Sequence, residues 1–160
     1  MQENTEEKRR ALDRAFRSLA ARAHTEKEIV EKLTRAGYSE EAIAGAMETL
    51  TRYRLVDDAA YAESWVSARA KRGIGPYRLQ QELRRKGVSA QEAEEALESL
   101  SEEEQLEGAM LLVEKALSRA PSGEEPRKTA ARITAMLARR GYGYDVAREA
   151  ISRVMESNEE

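Results

Sequence analysis

The chain has 160 residues, a formal net charge of −3, 36% charged residues and only 5% aromatic ones, a composition that favours helix over strand and predicts an all-α protein. It contains no cysteine, which excludes a disulfide framework and thiolate chemistry and is compatible with a reducing cytosol. No apolar run approaches the ~20 residues that cross a bilayer, and the opening MQENTEEKRR lacks a signal-peptide core, so a soluble cytoplasmic protein is expected.

In chain order, residues 6–24 place Ala11, Leu12, Ala15, Phe16 and Leu19 at helical spacing among Lys8, Arg9, Arg10, Arg14, Arg17 and Arg22, the pattern of an amphipathic helix. Thr25 with Glu28 forms a capping box for a second helix that buries Ile29 and Leu33 and stops at Gly37,. Ser39 opens a third, with Ile43, Met47 and Leu50, and Leu55-Val56 leads on to Asp57. Asp57 and Asp58 then offer oxygens to the start of a fourth helix, whose buried stripe is Tyr61, Ala62, Trp65 and Val66,. Gly73 and Gly75 end it, Pro76 suits the first position of a fifth helix, and Gly87 provides that helix's left-handed cap,.

The segments TEKEIVEKLTRAGYSEEAIAGAMETL (25–50), GPYRLQQELRRKGVSAQEAEEALESL (75–100) and TAARITAMLARRGYGYDVAREAISRV (129–154) align without a gap. Ile29, Leu79 and Ile133 correspond, as do Leu33, Leu83 and Leu137; Gly37, Gly87 and Gly141; and Met47, Leu97 and Ile151. One further helix precedes each pair, at 6–24, 58–72 and 102–119, the last opened by Ser101 and Glu104. The prediction is three tandem three-helix, helix-turn-helix-like repeats at residues 1–54, 55–100 and 101–160. Units this small bury little core alone, so they are expected to stack into an elongated body. The extra residues before the third copy fall in or near APSGEEP (120–126).

Charge is polarised along the middle of the chain. Arg69, Lys71, Arg72, Arg78, Arg84, Arg85 and Lys86 face a single acid, Glu82, whereas residues 90–114 are rich in glutamate and hold no Lys or Arg. Arg78, Gln81 and Arg85 fall on one side of helix 76–86, away from Leu79 and Leu83, and make a basic ridge,. These seven cations are the expected partner-binding residues. Arg127, Lys128, Arg132, Arg139 and Arg140 occupy the corresponding helix of the third repeat. Solvated helix faces, with cations complementing a helix dipole, are the alternative reading.

No catalytic constellation is present. His24, the only histidine, precedes a helix cap and is expected to lie exposed at a boundary, and no metal-ligand set surrounds it or Asp57 and Asp58,. Sequence-specific DNA reading by the last helix of each repeat is disfavoured, because Glu40, Glu41 and Glu48 or Glu92, Glu94, Glu95 and Glu98 would meet phosphates there,.

The stretch LVDDAAYAESWVSARAKRGIGPYRLQQELRRKGVS (55–89) resembles the central signature of the RecX family, regulators of the RecA recombinase, and TEKEIVEKLTRAGYS and ARITAMLARRGY resemble its flanking repeats. The third repeat departs from the others in its APSGEEP loop and in Gly143, which stands where they have Ser39 and Ser89. The resemblance implies no enzyme activity of its own; a monomer without cofactor or metal is expected. It implies binding in the groove of the RecA nucleoprotein filament and lower ATPase, strand-exchange and coprotease activity, within homologous recombination, DNA repair and the SOS response. Non-specific contact with DNA is the further partner expectation, and an autonomous nucleic-acid-binding repeat protein is the alternative function.

Overall fold

The computed structural model describes residues 1–160. It consists of nine helices and no strand: α1 (Gln2–Ala21), α2 (Glu26–Arg35), α3 (Glu40–Arg52), α4 (Asp58–Ala70), α5 (Pro76–Arg85), α6 (Ala90–Glu98), α7 (Glu102–Ser118), α8 (Pro126–Arg140) and α9 (Tyr144–Glu159). They form three successive triplets. The middle helices end alike, because Gly37, Gly87 and Gly141 take φ of 91°, 89° and 97°, a left-handed conformation in which any Cβ is strained. The last helix of each triplet starts less uniformly. Ser39 and Ser89 accept from the amides of Ala42 and Glu92, whereas Gly143 caps α9 with no side-chain bond.

Two compact units make up the chain: Met1–Ala62 with Leu83–Ala93, and Glu63–Glu82 with Glu94–Glu160. The first is built on α1 packed against α3, with α2 across them. Ala11, Ala15, Ile29, Leu33, Ile43, Ala46, Met47, Leu50 and Val56 form its core. In the second, α7 packs against α9 in the same manner and α8 closes the triplet, around Ala109, Val113, Ile133, Leu137, Ala147, Ala150 and Val154. The aligned leucines Leu33, Leu83 and Leu137 are all fully buried, and truncating any one to alanine costs on the order of 2–5 kcal/mol.

Several expectations need correction. His24 is buried rather than exposed, with Nδ1 2.8 Å from the carbonyl oxygen of Arg22; the chain turns back beneath it to start α2. Phe16, assigned to a buried stripe, is 39% exposed, since Ala11 and Ala15 already fill the face of α1 that meets α3. Helix α1 begins four residues earlier than its apolar spacing indicated, at Gln2. The two aspartates divide their work: Asp57 accepts from Ala60 N within α4 (3.1 Å), while Asp58 accepts from Glu26 N at the start of α2 (2.9 Å).

Each unit also contains one joint between consecutive triplets. In the first unit the hydroxyl of Thr25, at the head of α2, donates to the carbonyl of Lys86 at the tail of α5 (2.5 Å). In the second, the amide of Gly75, at the head of α5, donates to the carbonyl of Arg140 at the tail of α8 (2.8 Å). Thr25 aligns with Gly75, and Lys86 with Arg140, so one position of the repeat supplies the donor and another the acceptor. The third triplet breaks the series at its own donor position. There α8 starts early, at Pro126, and the aligned Thr129 lies inside the helix with its hydroxyl 3.0 Å from Glu124 Oε2.

Candidate partner-binding surface

The end of α4, the following turn and α5 carry the basic cluster. Arg69, Lys71, Arg72 and Arg78 belong to the second unit, and Arg84, Arg85 and Lys86 to the first. Lys71, Arg72, Arg84 and Arg85 are exposed, as the turn after α4 and the outward face of α5 require.

Arg69 is held differently. Its guanidinium forks onto Glu82, with Nε 3.1 Å from Oε2 and a terminal nitrogen 2.5 Å from Oε1, and its Cζ lies 5.5 Å from the centre of the Trp65 ring. Trp65 Nε1 donates to the same carboxylate at 3.0 Å, and Arg78 Nε stands 3.6 Å from it. Burial works to raise the Glu82 pKa, but the hydrogen bonds from Arg69 and Trp65 and the charges of Arg69 and Arg78 prevail and hold it below the ordinary carboxylate range,. The Glu82 bond in turn pushes the Arg69 guanidinium up. With its side chain only 26% exposed, Arg69 serves chiefly to tie α4 to α5.

Arg78 is exposed, with 43% of its side chain in solvent, although it is paired with Glu82. Lys86 is turned toward Glu28 at 3.8 Å. The cations that present themselves most openly are therefore Lys71, Arg72, Arg84 and Arg85.

The composition of this window carried one clue to the lock. Glu82 is its sole acid, and Trp65 and Arg69 lie one helical turn apart on α4,. That Trp65 and Arg69 both converge on this carboxylate depends on how α4 meets α5, which no local pattern encodes, whereas the Arg78 pair is an i,i+4 contact within α5,. Tyr77 was also missed. It is 65% exposed, and its ring packs beside Gly143, immediately before Tyr144, which is 69% exposed.

In the third triplet Arg132 is bound to Glu124 (2.9 Å), so that basic run is partly neutralised. No group of three or more His, Asp or Glu side chains is arranged to hold a metal ion, and no helix is long and apolar enough to cross a membrane.

Models of the first, second and third three-helix domains of RecX match residues 11–50, 57–97 and 102–151. The chain belongs to the RecX family. Regulatory protein RecX of Mycobacterium sp. (strain KMS) is 37% identical over 153 residues, spanning 93% of this chain and 82% of that protein. The RecX of Halorhodospira halophila is 35% identical, spanning 92% and 89%. Among solved structures, RecX from Lactobacillus salivarius superposes with a TM-score of 0.88 at 26% identity, over 94% of this chain and 97% of that one. A second crystal structure, of a regulatory protein RecX, gives 0.85 at 28% identity over 94% and 73%. The three-helix triplets are thus RecX domains, and the α4–α5 lock sits in the second of them.

Proposed function

We propose that this RecX protein binds the RecA nucleoprotein filament and modulates it, mainly by inhibiting ATP hydrolysis, strand exchange and coprotease activity. It acts as a cytoplasmic, monomeric, non-enzymatic regulator in recombination and the SOS response. The observation that carries the reading is the match of all three RecX domains in order along one chain. We assign the repeats to residues 1–54, 55–100 and 101–160, and the contact surface to Arg69, Lys71, Arg72, Arg78, Arg84, Arg85 and Lys86. Exposed guanidiniums suit this task because they bridge to carboxylates and phosphates with fixed, two-pronged geometry. Within the cluster Arg69 supports the surface through Glu82, and Arg72, Arg84 and Arg85 make contact.

The test is the ATPase of RecA on single-stranded DNA, titrated with this protein. Inhibition is expected with the natural chain and is lost in the Arg72→Glu, Arg78→Glu, Arg85→Glu variant, with helicity unchanged. Full inhibition by that variant rejects the surface, and no inhibition by the natural chain rejects the function.

One observation favours a second reading, autonomous binding of single-stranded nucleic acid. Tyr77, next to Arg78, and Tyr144, next to the Gly143 that Tyr77 packs beside, are exposed, and aromatic rings beside guanidiniums are stacking platforms for bases. Tight binding to oligonucleotides without RecA would support it, weakened by Tyr77→Ala and by salt.

A further inference from the structure

A groove of about 550 Å³ opens in the second unit between α4 and α7, within the range of ~300–1,000 Å³ that ordinary ligand clefts occupy. Gly108 lines it where α7 passes the end of α4. A Cβ there would lie 2.9 Å from the hydroxyl of Tyr142 and 4.0 Å from the carbonyl oxygen of Ala70. Val66, Ala70 and Leu100 give the groove an apolar lining, and Leu111 stands at its edge with 61% of its surface in water. An exposed leucine beside an open apolar cleft has no role in the core of its own unit.

The walls differ in charge. Along α7, Glu104, Glu107, Gly108 and Leu111 follow one stripe over two turns, roughly 10 Å of helix. Its acidic end continues into Glu102 and Glu103 in the first turn of α7. On the opposite wall the only charge is Lys71, in the turn that follows α4. An occupant therefore meets two carboxylates on one flank, a single ammonium on the other, and apolar surface between them.

We propose that this groove receives a short amphipathic helix of a protein partner, with large apolar residues on one face and Lys or Arg along one flank. A helix laid in a groove presents apolar anchors at i, i+3, i+4 and i+7, which here would meet Val66, Ala70, Leu100 and Leu111 while its basic flank meets Glu104 and Glu107. The carboxylates fix its direction by pairing with the basic flank, and Lys71 repels the same helix laid in reverse. The surface is separate from the cations assigned to RecA contact except at Lys71, and the proposal does not depend on that assignment.

The test uses a synthetic amphipathic peptide of on the order of 15 Leu, Ala and Lys residues, long enough to be helical when bound, with lysines confined to one flank. It is titrated into the full chain by fluorescence anisotropy and mapped by amide chemical shifts. Saturable binding is expected, with shifts at Val66, Ala70, Gly108 and Leu111. It should weaken at least tenfold in Leu111→Ser and in Glu104→Lys, Glu107→Lys, both exposed changes that leave the fold intact. A scrambled peptide of the same composition should bind at least tenfold more weakly. Equal binding by the scrambled peptide, undiminished binding by Leu111→Ser, or shifts confined to other surfaces overturns the proposal. Perturbation of these amides by phosphatidylcholine vesicles but not by the peptide overturns it in favour of a lipid occupant.

Discussion

The two joints between triplets use the same positions of the repeat but different chemistry. In the first unit the contact is made by side chains: Thr25 Oγ1 on the Lys86 carbonyl, Lys27 Nζ 3.4 Å from the Arg85 carbonyl, and Glu28 beside Lys86. In the second unit backbone meets backbone, with Gly75 N on Arg140 O and Tyr77 N on Gly141 O at 2.8 and 3.0 Å. The side-chain joint is adjustable at Thr25 and Lys27, whose rotamers can move, but it too is tight at Gly87, where an added Cβ would collide with Lys27 Cβ. The backbone joint requires glycine on both sides. A Cβ on Gly75 would lie 2.5 Å from the Gly141 carbonyl carbon, and one on Gly141 would lie 2.5 Å from both Arg78 N and Arg78 Cβ.

The largest expected effect follows from that rigidity. Gly75→Ala forces the two backbones apart and costs about 3 kcal/mol or more, mainly by overpacking and the loss of two hydrogen bonds. Urea unfolding measures it, and a loss under 1 kcal/mol would mean the second joint gives way as readily as the first. Thr25→Ala removes a helix cap and the joint bond together, a loss of about 2 kcal/mol, whereas Thr25→Ser, which keeps the hydroxyl, should recover most of it.

Acid separates the joints further. Burial tends to raise the Glu28 pKa, but hydrogen bonds from Arg22 and from the Thr25 amide, with the charges of Arg22 and Lys86, hold it below the ordinary carboxylate range. The pKa of the folded state is depressed. Its stabilising contribution is therefore complete above the unfolded carboxylate pKa and fades as pH falls through the folded value. The stability gap between the natural chain and Glu28→Gln should be about 1 kcal/mol at neutral pH and close below about pH 4. The Gly75 amide, bonded only to a carbonyl, should lose no more hydrogen-exchange protection over that window than the rest of its unit. A constant gap would show that Glu28 works by shape rather than charge.

The smallest effect is expected at Gly37, which shares the backbone angle of Gly87 and Gly141 but has no heavy atom within 4 Å of an added Cβ. Gly37→Ala should cost only the left-handed strain, about 1 kcal/mol. A larger loss would mean that the first triplet, too, is gripped at this turn.

Local chemistry was readable from the sequence and the joints were not. The Thr25 capping box, the three glycine caps and the buried leucines depend on residues within a few positions of one another, and spacing reveals them. The burial of His24, the exposure of Phe16, the division of labour between Asp57 and Asp58, and the lock of Trp65 and Arg69 on Glu82 depend on residues brought together from different helices. The basic cluster was legible as composition. Which cations are exposed and which are bound was not, because one carboxylate decides it. The alignment did mark the third triplet as different, and the irregularity is the early start of α8 that seals the Thr129 position.

Both joints end on a main-chain oxygen, at Lys86 and at Arg140. Peptide carbonyls are present whatever residue occupies the position, so these two hydrogen bonds place no demand on the acceptor's side chain, although Lys86 also pairs with Glu28 in the first joint. At Arg140 mutation can recharge that corner of the repeat while its joint bond stays in place, whereas at Lys86 the same change gives up the pair with Glu28.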